Sequence, residues 1–153
     1  MIVYRLTTGD HIQDLSGTGS KLYGGRWNSM GMSALYTTEH ISHAVLENLV
    51  YLKKYKKPVD YHLLAIELPD NVSPVVIKKE KLKLNWKDDL NYSQFMGDEF
   101  LRSHQALYLK VPSAIVDLEH NFIVNPDHSS AGKIRIITSQ LFEFDKRLFL
   151  TNE

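Results

Sequence analysis

The sequence predicts a single α+β domain spanning residues 1–153, and three observations predict it. Short apolar or alternating stretches of strand length recur along the chain, one segment carries apolar residues at helical spacing, and no repeat or linker divides them. The length suits one core, since a chain of this size buries roughly 70% of the surface its unfolded form exposes. Hydrophobic residues at 43% and charged residues at 24% are ordinary globular usage and argue against a disordered tail or fibrous repeat.

Ile2 to Leu6 reads as a strand that gives way at Thr7-Thr8-Gly9-Asp10. The run from Gly9 to Gly31 holds six glycines with almost no periodicity and reads as a loop region. Long loops inside compact domains are often binding loops, so Gly17 to Gly31 is expected to meet a ligand. Ala34 to Thr37 is a short apolar strand. Thr38 is placed to cap the next helix, in which Ile41, Ala44, Val45, Leu49 and Leu52 recur at helical spacing. That helix is expected to end near Tyr55, ahead of Pro58, and its opposite side carries His40, His43, Glu47, Tyr51 and Lys54.

Tyr61 to Leu68 alternates and stops at Pro69-Asp70-Asn71, a strand followed by a turn, and Val75-Val76-Ile77 is a second strand. Residues 80–91 fit no single pattern. Tyr92 to His104 reads as a helix interrupted by Gly97. Ala106 to Val111, Ala114 to Asp117, Phe122 to Val124 and Ile134 to Phe144 read as strands, which makes the second half strand-rich.

Charge and composition exclude several classes. Eighteen basic and eighteen acidic residues cancel, with a pI near 7.1, so no global field gathers nucleic acid or an anionic membrane. The basic runs Lys53-Lys54-Tyr55-Lys56-Lys57 and Lys78 to Lys83 read as solvated faces. The absence of cysteine removes disulfides, thiol nucleophiles and cysteine zinc sites. Met1-Ile2-Val3-Tyr4-Arg5 does not begin a basic-then-apolar leader, and no segment approaches the ~18 apolar residues of a membrane span. The expected location is the cytoplasm.

The familiar nucleotide motifs fail. Gly17 and Gly19 are followed by Leu22 where a dinucleotide fingerprint needs glycine, and Gly19-Ser20-Lys21 lacks the spacing and ending of a phosphate loop. His40 and His43 are the nearest approach to a metal pair, but no H-E-x-x-H occurs and His43 with Glu47 reads as an i,i+4 hydrogen-bonding pair, so no metal is expected. Ser113 lies outside any G-x-S-x-G elbow and reads as a capping or turn serine, and Asn125-Pro126-Asp127-His128 as a turn.

The group that stands out is Gly24-Gly25-Arg26-Trp27-Asn28 with Tyr36 and Glu47. Singly, these read as a surface arginine, a core aromatic and a solvated helix carboxylate. Together they supply a guanidinium suited to gripping pyrophosphate, a phenol able to stack on a base and a carboxylate able to stabilise positive charge on a ribose.

These residues, with Gly17-Thr18-Gly19, Gly31, Tyr36-Thr37, Ala44-Val45-Leu46-Glu47, Val111-Pro112-Ser113, Asn121 through Asn125-Pro126 and Phe144-Asp145-Lys146-Arg147, resemble the RES domain family, toxins of bacterial toxin–antitoxin pairs, over nearly the whole chain. The arginine, glutamate and serine of the family name match Arg26, Glu47 and Ser113, and its tyrosine matches Tyr36. Two departures fall at Ser20, a place often held by alanine, and at Ser129, where proline is common after the histidine.

The resemblance implies an ADP-ribosyltransferase-like mixed β core with flanking helices. It implies a toxin that cleaves NAD+ at the nicotinamide–ribose bond, depleting cellular NAD and arresting growth, as a glycohydrolase or phosphorolase. NAD+ is then the substrate, and no cofactor is required. Glu47, Arg26 and Tyr36 are the expected catalytic residues, and Arg26, Trp27, Asn28, Tyr36, Ser113 and Asn125 are expected on the substrate. Its usual partner is an Xre-type helix-turn-helix antitoxin, which would carry any DNA contact. A homodimer is compatible with the sequence. The alternatives are a mono-ADP-ribosyltransferase using the same site, a nucleotide-binding module without turnover, and a nuclease toxin.

Overall fold

The computed structural model describes residues 1–52 and 60–149. Their centre is one seven-stranded sheet. In chain order its strands are β1 (Ile2–Thr8), β2 (Leu35–Thr38), β3 (Tyr61–Glu67), β4 (Val75–Val76), β5 (Tyr108–Pro112), β6 (His120–Val124) and β7 (Arg135–Phe142), arranged β4-β5-β6-β2-β1-β3-β7. Every pairing is antiparallel except β4 with β5. Three α-helices accompany it: α1 (Thr18–Tyr23), α2 (Ile41–Leu52) and α3 (Leu90–Ser103).

Side-chain alternation splits the core between the two faces of this sheet. On one face Val3, Leu35, Leu64, Ile66, Phe122 and Val124 form a cluster covered by loop residues such as Ile12, Leu15 and Val72. On the other, Leu109, Val111 and Ile123 pack with Trp27, Trp86, Phe100 and Leu101 beneath α3. A smaller cluster of Leu6, Leu52 and Phe144, joined by Val45 and Leu49, seats α2. Each such aliphatic or aromatic side chain contributes about 1.5 to 3 kcal/mol on leaving water.

The sheet is joined unevenly. β3 matches β1 from Ile2 opposite Glu67 to Thr8 opposite Tyr61, and β2 matches β6 along its whole length, whereas β1 meets β2 through one registered pair, Tyr4 opposite Thr38. Two well-paired halves therefore meet along a weak seam.

Several expectations are corrected. The glycine-rich run is not all loop: Gly9–His11 forms a 3-10 turn and Thr18–Tyr23 a short helix. Thr38 does not cap α2, because its hydroxyl donates to the His40 carbonyl at 2.9 Å instead of accepting a helix N–H. α3 starts earlier than expected, with Asp89 accepting from the Tyr92 N–H at 3.0 Å, and runs through Gly97 without a break. Ala114 to Asp117 is a turn rather than a strand, fixed by Ser113 Oγ accepting from the Ile115 and Val116 N–H groups. The expected end of α2 near Tyr55 and the basic run from Lys53 to Lys57 lie outside the described residues. Among the described residues, no helix is long and apolar enough to cross a membrane.

Candidate active site

The seam between β1 and β2 opens into a cleft of about 370 Å³, within the range of small-ligand sites. Tyr4, Arg5 and Leu6 of β1 line one side and Tyr36, Thr37 and Thr38 of β2 the other. Gly24, Gly25, Arg26 and Trp27 form a rim, and Glu47, Asn48 and Tyr51 descend from α2.

The rim is built by a tight turn held from beneath. The Gly25 N–H donates to the Asn28 carbonyl at 2.9 Å, closing the turn on itself. Asn28 is fully buried, and its amide donates to the carbonyls of Ser20 and Met32, both at 2.9 Å. α3 supports the turn from below: Gln94 Nε2 donates to the carbonyls of Gly25 and Asn28, and Asp98 Oδ1 accepts from the Ser29 N–H. Two glycines allow this packing. A Cβ at Gly97 would collide with the Trp27 backbone, and one at Gly25 with the Tyr36 hydroxyl. Ser20 ties α1 to the strand ahead, donating to the Ala34 carbonyl at 2.6 Å and accepting its N–H at 2.9 Å.

Arg26 leaves the turn with one Nη1 bond to the Lys87 carbonyl at 2.9 Å and its guanidinium 5.7 Å from the centre of the Trp86 ring. Among the described residues the rest of its planar donor fork makes no further hydrogen bond. Tyr36 is fixed at its hydroxyl, which donates to Asn28 Oδ1 at 2.7 Å and accepts the Trp27 N–H at 2.9 Å. Burial raises its pKa well above the ordinary tyrosine value, against the opposing effects of the Trp27 N–H and Arg26, so the phenol is neutral.

Three polar side chains crowd one oxygen of Glu47. Asn121 Nδ2 at 2.7 Å, His43 Nε2 at 3.1 Å and Ser113 Oγ at 3.2 Å all converge on one oxygen, Oε1. Among the described residues no protein donor reaches Oε2. Burial pushes the carboxyl pKa up, but the hydrogen bonds from His43, Asn121 and Ser113 outweigh it and hold the group below the ordinary carboxylate value. An ionised carboxylate, gripped on one oxygen and open on the other, thus stands in the cleft.

Of the residues expected from sequence, the fold brings Arg26, Trp27, Tyr36 and Glu47 together on the cleft wall. Asn28 and Ser113 lie behind it: Asn28 locks the turn and Tyr36, and Ser113 braces Glu47. Asn125 is not part of the cleft wall, its amide donating to the Leu101 carbonyl and its Oδ1 accepting the Asp127 N–H. Sequence reasoning missed Arg5, a second guanidinium in the cleft. It donates to the Asp14 carbonyl at 3.1 Å, and burial lowers its pKa against the pull of the Asp14 charge. It also missed Asn121 on the cleft wall, whose Oδ1 is buried without a hydrogen-bond partner among the described residues. Both sit on strands, where only their neighbours in the sheet reveal what they face.

Known proteins similar to this chain supply its family and its fold. A profile of the RES domain matches residues 2–145. Toxin Res of Photorhabdus laumondii is 37% identical over 152 residues, covering 97% of each chain. The Prs ADP-ribosylating toxin of a Sphingobium species is 34% identical over 139 residues, covering 88% of this chain and 86% of that protein. Among solved structures, the crystal structure of the Mycobacterium tuberculosis MbcT-MbcA toxin-antitoxin complex contains a chain that superposes with a TM-score of 0.77 at 20% identity, covering 92% of this chain and 83% of that one. At that identity the likeness is one of fold.

Proposed function

The chain belongs to the RES domain family, and from that membership and the geometry of its cleft we propose that it is the toxin of a toxin–antitoxin pair that breaks the nicotinamide–ribose bond of NAD+. The observation that carries the reading is the Glu47 carboxylate, with three donors on Oε1 and Oε2 left for a substrate hydroxyl.

The chemistry asks little of the protein at the leaving group. When the bond between the anomeric carbon and the pyridinium nitrogen breaks, the electron pair leaves with a cationic ring that becomes neutral nicotinamide, so no acid is needed there. One carboxylate suffices, unlike the carboxyl pair of ordinary glycosidases. Glu47 Oε2 accepts a hydrogen bond from the nicotinamide-side ribose and stabilises the oxocarbenium-like transition state, a contribution of about 3 to 4 kcal/mol for one well-placed group. Tyr36 offers a neutral ring to the nicotinamide, and Asn121 Oδ1 offers an acceptor beside Glu47. Arg26 and Arg5 take the pyrophosphate. Arg5, desolvated in the cleft, gains an anionic partner there.

The experiment is nicotinamide release from NAD+ by purified protein, with mass spectrometry of the products. Free ADP-ribose identifies water as the acceptor, and a phosphorylated ADP-ribose identifies inorganic phosphate. A second reading, transfer of ADP-ribose to a protein, is supported by the name of the Sphingobium relative and would show as a mass increase on a target. Unchanged NAD+ alongside degraded RNA would replace the reading with a nuclease. The partner we propose is an Xre-type antitoxin, consistent with the toxin-antitoxin complex formed by the structural neighbour. Expression without that partner is expected to arrest growth in proportion to NAD+ loss.

A further inference from the structure

We infer that His43 is the positioning residue of this site, holding the Glu47 carboxylate in register through its Nε2, an assignment that rests on the reading of Glu47 given above. His43 stands one helical turn before Glu47 on α2, yet its side chain is fully buried and it is not part of the cleft wall, so it acts through Glu47 and not on the substrate.

Counting hydrogens narrows the contact to two arrangements. Ser113 Oγ accepts from the N–H groups of Ile115 and Val116, both at 3.0 Å, which occupies its two lone pairs. Its own hydrogen must then be donated, either to Glu47 Oε1 at 3.2 Å or to a bare His43 Nε2 at 2.9 Å. His43 Nε2 is 2.9 Å from that same Ser113 oxygen and 3.1 Å from Glu47 Oε1. A bare Nε2 would take the Ser113 hydrogen, would stand 3.1 Å from the carboxylate oxygen without a hydrogen to offer it, and would leave Asn121 as the donor to Oε1. With hydrogen on Nε2, His43, Ser113 and Asn121 all donate to Oε1.

The far side of the ring is also built. Glu119 Oε2 stands 3.2 Å from His43 Nδ1, out of line for a hydrogen bond, and 3.0 Å from His40 Nδ1. The Glu119 carbonyl accepts the Ser113 N–H at 2.9 Å, so the turn from 113 to 119 returns to the ring it encloses. His43 thus sits between the carboxylate of the cleft and a second carboxylate behind it. A ring so confined limits the rotamers open to Glu47, and small misplacements of a reacting group are costly to rate.

The test is the kinetics of His43→Leu and His43→Gln, each also combined with Glu47→Gln. Leucine fills the space without a donor, whereas the glutamine amide nitrogen can stand where Nε2 stands. His43→Leu is expected to lower kcat about 10- to 100-fold with KM nearly unchanged. His43→Gln is expected to recover most of that loss, and His43→Leu to cost nothing further once Glu47 is glutamine. Equal losses in the two His43 variants, or an undiminished loss in the Glu47→Gln background, would overturn the assignment. Nitrogen NMR of the wild-type imidazole decides the contact even where a variant fails to fold. A proton on Nε2 whose resonance moves in Glu47→Gln is expected, and a bare Nε2 contradicts the inference. Wild-type protein that releases no nicotinamide would sink the reading of Glu47 as the reacting group, while the NMR result would still report the His43 contact.

Discussion

At the scale of single residues, the account turns on one carboxylate. Glu47→Gln keeps the shape of the site and removes the charge, so nicotinamide release is expected to fall about 100-fold or more. The same carboxyl makes a pH prediction. Its folded pKa lies below the ordinary value, so its stabilisation is present above the ordinary carboxylate range and is lost as pH falls through the folded pKa. Thermal melts of wild type and Glu47→Gln are expected to differ most near neutral pH and to converge in acid; a gap that widens in acid would contradict an ionised carboxylate stabilised by its donors. Arg5→Gln is expected to raise KM for NAD+ about tenfold or more while leaving kcat nearly unchanged. Arg26, Tyr36 and Glu47 were legible in the sequence because a glycine-flanked turn, a short strand and a helix present them locally. Arg5 and Asn121 were not, since each reads as an ordinary strand residue until the pairing of β1 and β6 is known.

At the scale of elements, α3 emerges as the support of the ligand-facing turn, a role its sequence concealed. Gly97 reads as a helix interruption, yet the helix is continuous and the missing side chain is what lets the Trp27 backbone approach. Gly97→Ala is expected to destabilise the fold by about 1 to 3 kcal/mol through overpacking, measured by urea denaturation. Because the displaced backbone carries Arg26, the surviving protein should also show a raised KM. An unchanged midpoint and KM would refute the packing argument. The strands from β1 to β3 and the start of α2 followed readily from alternation and helical period. α1 did not, because a short helix among glycines offers no periodicity, and neither did the turn at Ala114 to Asp117, whose apolar residues imitate a strand while Ser113 binds its backbone.

For the whole molecule, the decisive feature is a sheet made of two well-registered halves joined at one pair, with the cleft along that seam. The α+β class and the single domain were readable from the pattern of elements. The seam was not, because register arises from pairings between residues far apart in the chain. A ligand lodged there contacts both halves, so NAD+ at about 100 times its Kd is expected to raise the melting temperature of the slow Glu47→Gln variant by about 5 to 10 °C. The most direct measurement is a crystal structure of Glu47→Gln soaked with NAD+. The account predicts the dinucleotide along the β1–β2 seam, its pyrophosphate against Arg26 and Arg5, and its nicotinamide-side ribose within hydrogen-bonding distance of the residue 47 side chain. NAD+ bound elsewhere, or with that ribose turned away from residue 47, would contradict it.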